Sequence, residues 1–146
     1  MSVLLDTNVL LRRTQPAHEH HGVAVESVAR LLEAGEAVHV TPQNMSEFWN
    51  VATRPVAHNG MGFSVAATAA EIAKIEQLLV LLPDIPALYE RWKGLVLRHR
   101  VVGAKVHDAR LVAAMLVHRV PRILTFNTGD FSRYRVEVLH PAVLAG

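Results

Sequence analysis

Short unbroken apolar runs alternate along the chain with longer stretches in which apolar residues recur every three or four positions. Ser2-Val3-Leu4-Leu5 is a run of the first kind. It ends in Asp6-Thr7-Asn8, a polar turn able to cap a helix through Val9, Leu10 and Leu11. Residues 18–34 place Val23, Val25, Val28, Ala29, Leu31 and Leu32 at near-helical spacing, and Gly35 stops them. Ala37 to Thr41 reads as a strand. Pro42 breaks it and starts a helix over Gln43 to Thr53, which ends before Arg54-Pro55. His58 to Gly62 is a loop, and Ser64 caps an amphipathic helix to about Leu79. After a turn at Pro83-Asp84-Ile85-Pro86, a helix over Ala87 to Arg100 puts Leu88, Trp92, Leu95 and Val96 on one face. Gly103 breaks it, and Lys105 to His118 forms the next helix, with Ala109, Val112, Ala113 and Leu116 inward. Arg122 to Phe126 is a strand, Asn127 to Phe131 a polar turn with room for one helical turn, and Val136 to Leu139 a last edge strand.

Short apolar strands separated by helices indicate an α/β fold, a mainly parallel sheet of four to five strands with helices on both faces. The 146 residues suit one domain, residues 1–146, large enough to bury a core unaided. With 51% hydrophobic and 19% charged residues the chain is neither disordered nor of low complexity. The absence of cysteine excludes disulfides, thiolate zinc sites and cysteine nucleophiles. Asp6 interrupts an N-terminus without a basic region, so no signal peptide is expected, and no apolar run approaches the ~20 residues of a membrane span. A cytoplasmic protein with no membrane association is expected.

Net charge is only +2, but it is unevenly placed. Residues 1–90 carry 5 Lys/Arg and 10 Asp/Glu, whereas residues 91–146 carry 10 and 3. A basic C-terminal third suits a polyanion such as RNA or DNA, and equally suits ordinary solvated helix faces.

In a parallel α/β sheet, ligands gather beyond the carboxyl ends of the strands. Asp6 directly follows the first strand, Glu47 lies in the first turns of the helix after the second, and Asp130 sits in the turn after a later one. Asp108 joins them if its helix begins there. Ionised carboxylates brought together cost several kcal/mol per unpaired buried charge. A hard divalent cation, Mg²⁺ or Mn²⁺, removes that cost, polarises a phosphoryl oxygen and acidifies a bound water. Each acid also has a structural reading: Asp6 and Glu47 as helix-start acids, Asp108 as a cap, Asp130 as a turn former.

Four segments, in order, resemble the motifs of the PIN-domain family, and within it the VapC-type toxins of bacterial toxin–antitoxin pairs. They are Leu4-Leu5-Asp6-Thr7-Asn8-Val9-Leu10-Leu11, Asn44-Met45-Ser46-Glu47-Phe48-Trp49-Asn50-Val51, Val106-His107-Asp108-Ala109-Arg110-Leu111-Val112-Ala113, and Ile123-Leu124-Thr125-Phe126-Asn127-Thr128-Gly129-Asp130-Phe131. The resemblance implies a three-layer α/β/α fold and a Mg²⁺- or Mn²⁺-dependent endoribonuclease that hydrolyses RNA by metal-activated water. Asp6, Glu47, Asp108 and Asp130 then match the acid quartet, with Asp6 and Asp108 as direct metal ligands. Glu47 would orient or deprotonate the water and Asp130 would complete the shell. Thr7, Asn8, Thr125 and Asn127 would hold carboxylates or waters in place. Lys105 and Arg110, and less so Arg12 and Arg13, are candidate phosphate contacts. The resemblance further implies a cognate antitoxin whose arginine competes for the carboxylates, and a homodimer through the apolar faces of residues 64–82 and 87–100. A housekeeping RNA-processing nuclease shares the same site, and a non-catalytic nucleic-acid-binding or scaffold protein of this fold is the third reading.

Other residues invite chemistry with less support. His18-Glu19-His20-His21 has metal-ligand character but is expected at the surface, away from the acid motifs. His107 is expected to be structural. Trp49 and Trp92 fall on expected apolar faces, while Met61 and Phe63, in the glycine-rich loop, are placed for exposure to a partner.

Overall fold

A computed structural model describes residues 1–146. Its sheet has five parallel strands, β1 (Ser2–Leu5), β2 (Ala37–Val40), β3 (Val80–Leu81), β4 (Arg122–Leu124) and β5 (Glu137–Leu139), in the order β3-β2-β1-β4-β5. Seven helices surround it: α1 (Thr7–Arg13), α2 (His21–Glu33), α3 (Pro42–Thr53), α4 (Val65–Leu78), α5 (Ala87–Arg98), α6 (Lys105–His118) and α7 (Pro141–Leu144). Single 3₁₀ turns lie at Val56–His58 and Thr128–Phe131.

Strand β1 shows why the fold has three layers. Side chains alternate faces along a strand, and all three apolar residues of β1 are fully buried. Val3 and Leu5 join a core with α1, α2, α3 and α4, including Leu10, Val28 and Phe48. Leu4 faces the opposite layer, packed with Val112 and Met115 of α6 and with Phe131. An α/β/α sandwich follows, as expected.

The order of strands positions the site. From β1 the chain builds outward to β2 and β3, then crosses back to add β4 and β5 on the other flank. The direction of winding therefore reverses between β1 and β4, which pair directly with Leu4 opposite Ile123. Helices leave such neighbours on opposite faces, and a crevice opens at their carboxyl ends.

Several boundaries differ from the sequence reading. Helix α2 begins at His21, not residue 18, because residues 14–20 form turns. Strand β4 ends at Leu124, since the Phe126 N–H turns to the Asn8 side chain. Strand β3 is only two residues long, too short for an alternation signal, and α7 is a single turn begun by Pro141. Met61 and Phe63 are half-buried: their N–H groups bond the Val51 and Ala52 carbonyls, and both side chains pack in part on the core. No helix is long and apolar enough to cross a membrane.

Candidate active site

Asp6 stands at the reversal point. Its N–H donates to the Leu124 carbonyl at 2.9 Å, continuing the β1–β4 ladder by one bond. Its extended backbone then hands the chain to α1, and its Oδ1 accepts the Thr7 N–H at 2.8 Å as an N-cap. Its Oδ2 accepts the Thr125 hydroxyl at 2.7 Å and the Asn8 amide at 3.3 Å. The same Thr125 oxygen accepts from Asn8 Nδ2 at 3.2 Å and from the Asn127 N–H at 3.0 Å. Asn8 Oδ1 accepts the Phe126 N–H at 3.3 Å. One polar lattice thus joins the first and last motifs across the crevice. Asn127 contributes its backbone, while its side chain is exposed.

Glu47 arrives from α3. Thr41 caps that helix with a reciprocal pair of bonds to Asn44, and Pro42 occupies the first turn, where its missing N–H is harmless. Asn44 is fully buried and donates its amide to Thr7 Oγ1 at 3.0 Å. The Thr7 hydroxyl in turn donates a hydrogen bond to Glu47 Oε1 at 2.7 Å. Gln43 Nε2 reaches Glu47 Oε2 at 3.3 Å and the His107 carbonyl at 2.8 Å, tying α3 to the first turn of α6 beside Asp108. Gln43 and Asn44 are functional supports that sequence reasoning missed. The Thr41-Pro42-Gln43-Asn44 capping pattern was their only signal.

The electrostatics set two acids apart. Asp6 is only 9% exposed. Burial lifts its pKa to about 6, against the lowering effect of the Thr125 and Thr7 hydrogen bonds, and the charges of Asp108 and Glu47 add to the rise. Asp108 is also pushed up to about 6, by burial first, then by Asp130, with Lys105 opposing and Glu47 assisting. Asp130 is held differently. Its Oδ1 accepts from Lys105 Nζ at 2.6 Å, and this bond raises the lysine pKa. Asp6 thus feels the charges of Asp108 and Glu47, and Asp108 those of Asp130 and Glu47, which links the four predicted acids through Asp108. No three His, Asp or Glu side chains form a ready-made metal-ligand group.

Other candidates lie elsewhere. Arg110 turns to Asp84 at 3.1 Å, Arg12 to Gln15 at 2.7 Å, and Arg13 shares a cavity with Glu71 and Lys74. Lys105 alone of the predicted phosphate contacts reaches an acid of the cluster. His107 is exposed, with its carbonyl engaged by Gln43. Trp49 is 36% exposed instead of core, while Trp92 is partly buried and donates to the Val106 carbonyl at 2.9 Å. The histidine tract lies at the surface and packs against the last motif. His20 stacks on Phe126 at 5.0 Å, and His140 meets the same ring edge-on at 5.4 Å.

Comparison with known proteins places this geometry. The PIN domain family model matches residues 3–137. Among solved structures, VapBC2 from Rickettsia felis, bound to a DNA fragment from its promoter, superposes with a TM-score of 0.67 at 11% identity, covering 96% of this chain and 98% of that one. VapC20 from Mycobacterium tuberculosis, a sarcin-ricin loop cleaving toxin, gives 0.66 at 20% identity over 92% and 98%. FitAcB from Neisseria gonorrhoeae gives 0.63 at 22% identity over 96% and 98%. At these identities the likeness is one of fold. No curated protein sequence matches.

Proposed function

The chain belongs to the PIN-domain family, and from that premise and its carboxylate cluster we propose a divalent-cation-dependent endoribonuclease, the toxin of a toxin–antitoxin pair. The observation that carries this reading is Asp6, a buried acid at the β1–β4 crevice with no basic partner and two acidic neighbours. As a helix cap alone, asparagine or serine would serve as well without the cost of burying a charge.

The donor set suits a hard cation. Asp6 and Asp108 would hold Mg²⁺ or Mn²⁺, ions that retain several waters and need only one or two carboxylates. When bound, such an ion supplies charge to a phosphoryl oxygen and acidifies a water. The chain supplies the rest. Thr125 and Asn8 fix the Asp6 carboxylate in one orientation. Glu47, with its oxygens held by Thr7 and Gln43, is the group suited to orient the attacking water and take its proton. Asp130 fixes Lys105 beside Asp108, where the ammonium can receive a substrate phosphate.

RNA as substrate is supported by the likeness of fold to the sarcin-ricin loop cleaving toxin, and an antitoxin partner by the VapBC2 and FitAcB neighbours. An antitoxin arginine would pair with the same carboxylates that hold the cation. Leu78, Val80 and Leu81 are exposed along α4 and β3, as are Tyr89 and Leu97 on α5. A second copy covering these residues gives the homodimer, and sedimentation showing only monomer at micromolar concentration would contradict it.

The deciding experiment incubates a mixed RNA pool with the protein and Mg²⁺ or Mn²⁺, wild type beside Asp108→Asn. Cleavage by wild type that chelation stops, and that the variant lacks, supports the proposal. Equal cleavage by both proteins refutes it.

A further inference from the structure

Five of the 15 Lys and Arg side chains have an acidic partner: Arg30 pairs with Glu26, Lys74 with Glu71, Arg110 with Asp84, Arg122 with Glu36 and Lys105 with Asp130. Arg91, Arg98, Arg133 and Arg135 do not. All four are exposed, none is in an ion pair, and all line one groove of about 1020 Å³ between α5, α6 and the segment after the Thr128–Phe131 turn. Glu90 is the single acid there. Four of the ten bases of residues 91–146 thus lie along one channel.

The groove leads away from the acid cluster. Asp108, Val112 and Leu116 form an i, i+4, i+8 stripe on α6, and the last two line the groove. Arg133 follows Asp130 by three residues, and its guanidinium donates to the His99 carbonyl at 3.3 Å. Beneath lie Leu95 and Tyr134, whose ring meets His99 edge-on at 5.0 Å.

Resting on the proposed function, we propose that this groove binds the flanking nucleotides of the RNA strand whose scissile phosphate lies at the acids. Unpaired guanidiniums on its walls suit a run of phosphates. An apolar floor with an aromatic pair suits unstacked bases. Continuity with the acid crevice favours the substrate strand over an acidic peptide, which would gain nothing from neighbouring carboxylates.

The test titrates a labelled single-stranded RNA of about 20 nucleotides with wild type and with the fourfold variant Arg91→Gln, Arg98→Gln, Arg133→Gln, Arg135→Gln, in EDTA, across a salt series. Each lost contact removes about 0.7 from the slope of log K against log salt, so the variant's slope should be shallower by about 2 to 3. The fourfold lysine variant should keep most of the slope, which excludes misfolding as the cause. Hydrolysis of a small chromogenic phosphodiester, too short to enter the groove, should be equal in wild type and both variants. Unchanged RNA affinity and slope in the glutamine variant overturns the proposal. So does a wild type that ignores RNA but captures polyglutamate through these arginines, an outcome that assigns the groove to a protein. Wild type that binds RNA with the full slope yet cleaves nothing would sink the nuclease reading and leave the groove standing.

Discussion

Replacing Asp6 by asparagine separates an acid kept for chemistry from one kept for the fold. Asparagine retains the shape and can still cap α1 through the Thr7 N–H. Asp6 has a pKa of about 6 in the folded chain, roughly two units above an ordinary aspartate. Its ionisation therefore opposes folding by about 3 kcal/mol near neutral pH. The folded state holds the proton longer than the unfolded state. The contribution of Asp6 to stability should then be greatest below about pH 4, fall by about 1.4 kcal/mol per pH unit up to about pH 6, and level off above. Asn8 and Thr125 both direct donors at Asp6 Oδ2, and an amide nitrogen there would lose about 1 kcal/mol of that bonding. A net gain of about 2 kcal/mol remains, or a Tm higher by about 4 to 8 °C in a chain of this size. The assay is thermal unfolding followed by circular dichroism in EDTA, at about pH 7.5 and about pH 5. The variant should be more stable at the higher pH, and its advantage should shrink at the lower. Added Mg²⁺ should raise the wild-type Tm and leave the variant unmoved. If Asp6→Asn lowers Tm equally at both pH values, the carboxylate is an ordinary cap and the argument for a strained cation site fails.

Other substitutions test the frame around the acids. Asn44→Ala removes a fully buried amide that completes the α3 cap and holds Thr7, so it should cost about 2 to 3 kcal/mol in urea unfolding and lower the cleavage rate. Phe48→Ala empties the largest buried side chain of the α1–α4 layer and should cost about 3 to 5 kcal/mol in the same assay. Gly60→Ala places a methyl against the Arg54 carbonyl, so the loop must shift, and protease nicking near residues 55–63 should quicken. Lys105→Ala releases Asp130 and removes a positive neighbour of Asp108. The acidic limb of the pH–rate profile should then move to higher pH, and an unmoved limb would detach Lys105 from the site.

The sequence carried the site's acids because each follows a strand end or a helix start, and those are marked locally. Asp6 directly follows Leu5, and Glu47 follows the Thr41-Pro42 start by a turn. The α/β class was equally plain, since each long strand is a short apolar run between turn residues. What could not be read depends on pairing across the chain. Strand β3 exists because Val80 and Leu81 align with His39 and Val40, a register without local trace. Gln43 became a bridge only when α6 brought the His107 carbonyl to it. Arg110 looked like a phosphate contact because it neighbours Asp108, yet two positions along a helix is a large rotation, and its side chain meets Asp84 instead. The histidine tract seemed remote because sequence distance hid the folding of residues 18–20 onto Phe126.

The pairing of β1 with β4 also sets when this protein becomes functional during its own synthesis. Leu5 aligns with Leu124, and the Thr125 hydroxyl that steadies Asp6 comes from the far end of the chain. Closing so long a loop is slow to gain its reward, since the entropy is lost before the contacts form. A nascent chain that has not yet reached Thr125 leaves its first acid unbraced, however long it waits on the ribosome. Only after residues 122–127 have left the ribosome can the first motif find the last, so the chain should gain its site in one late, cooperative step.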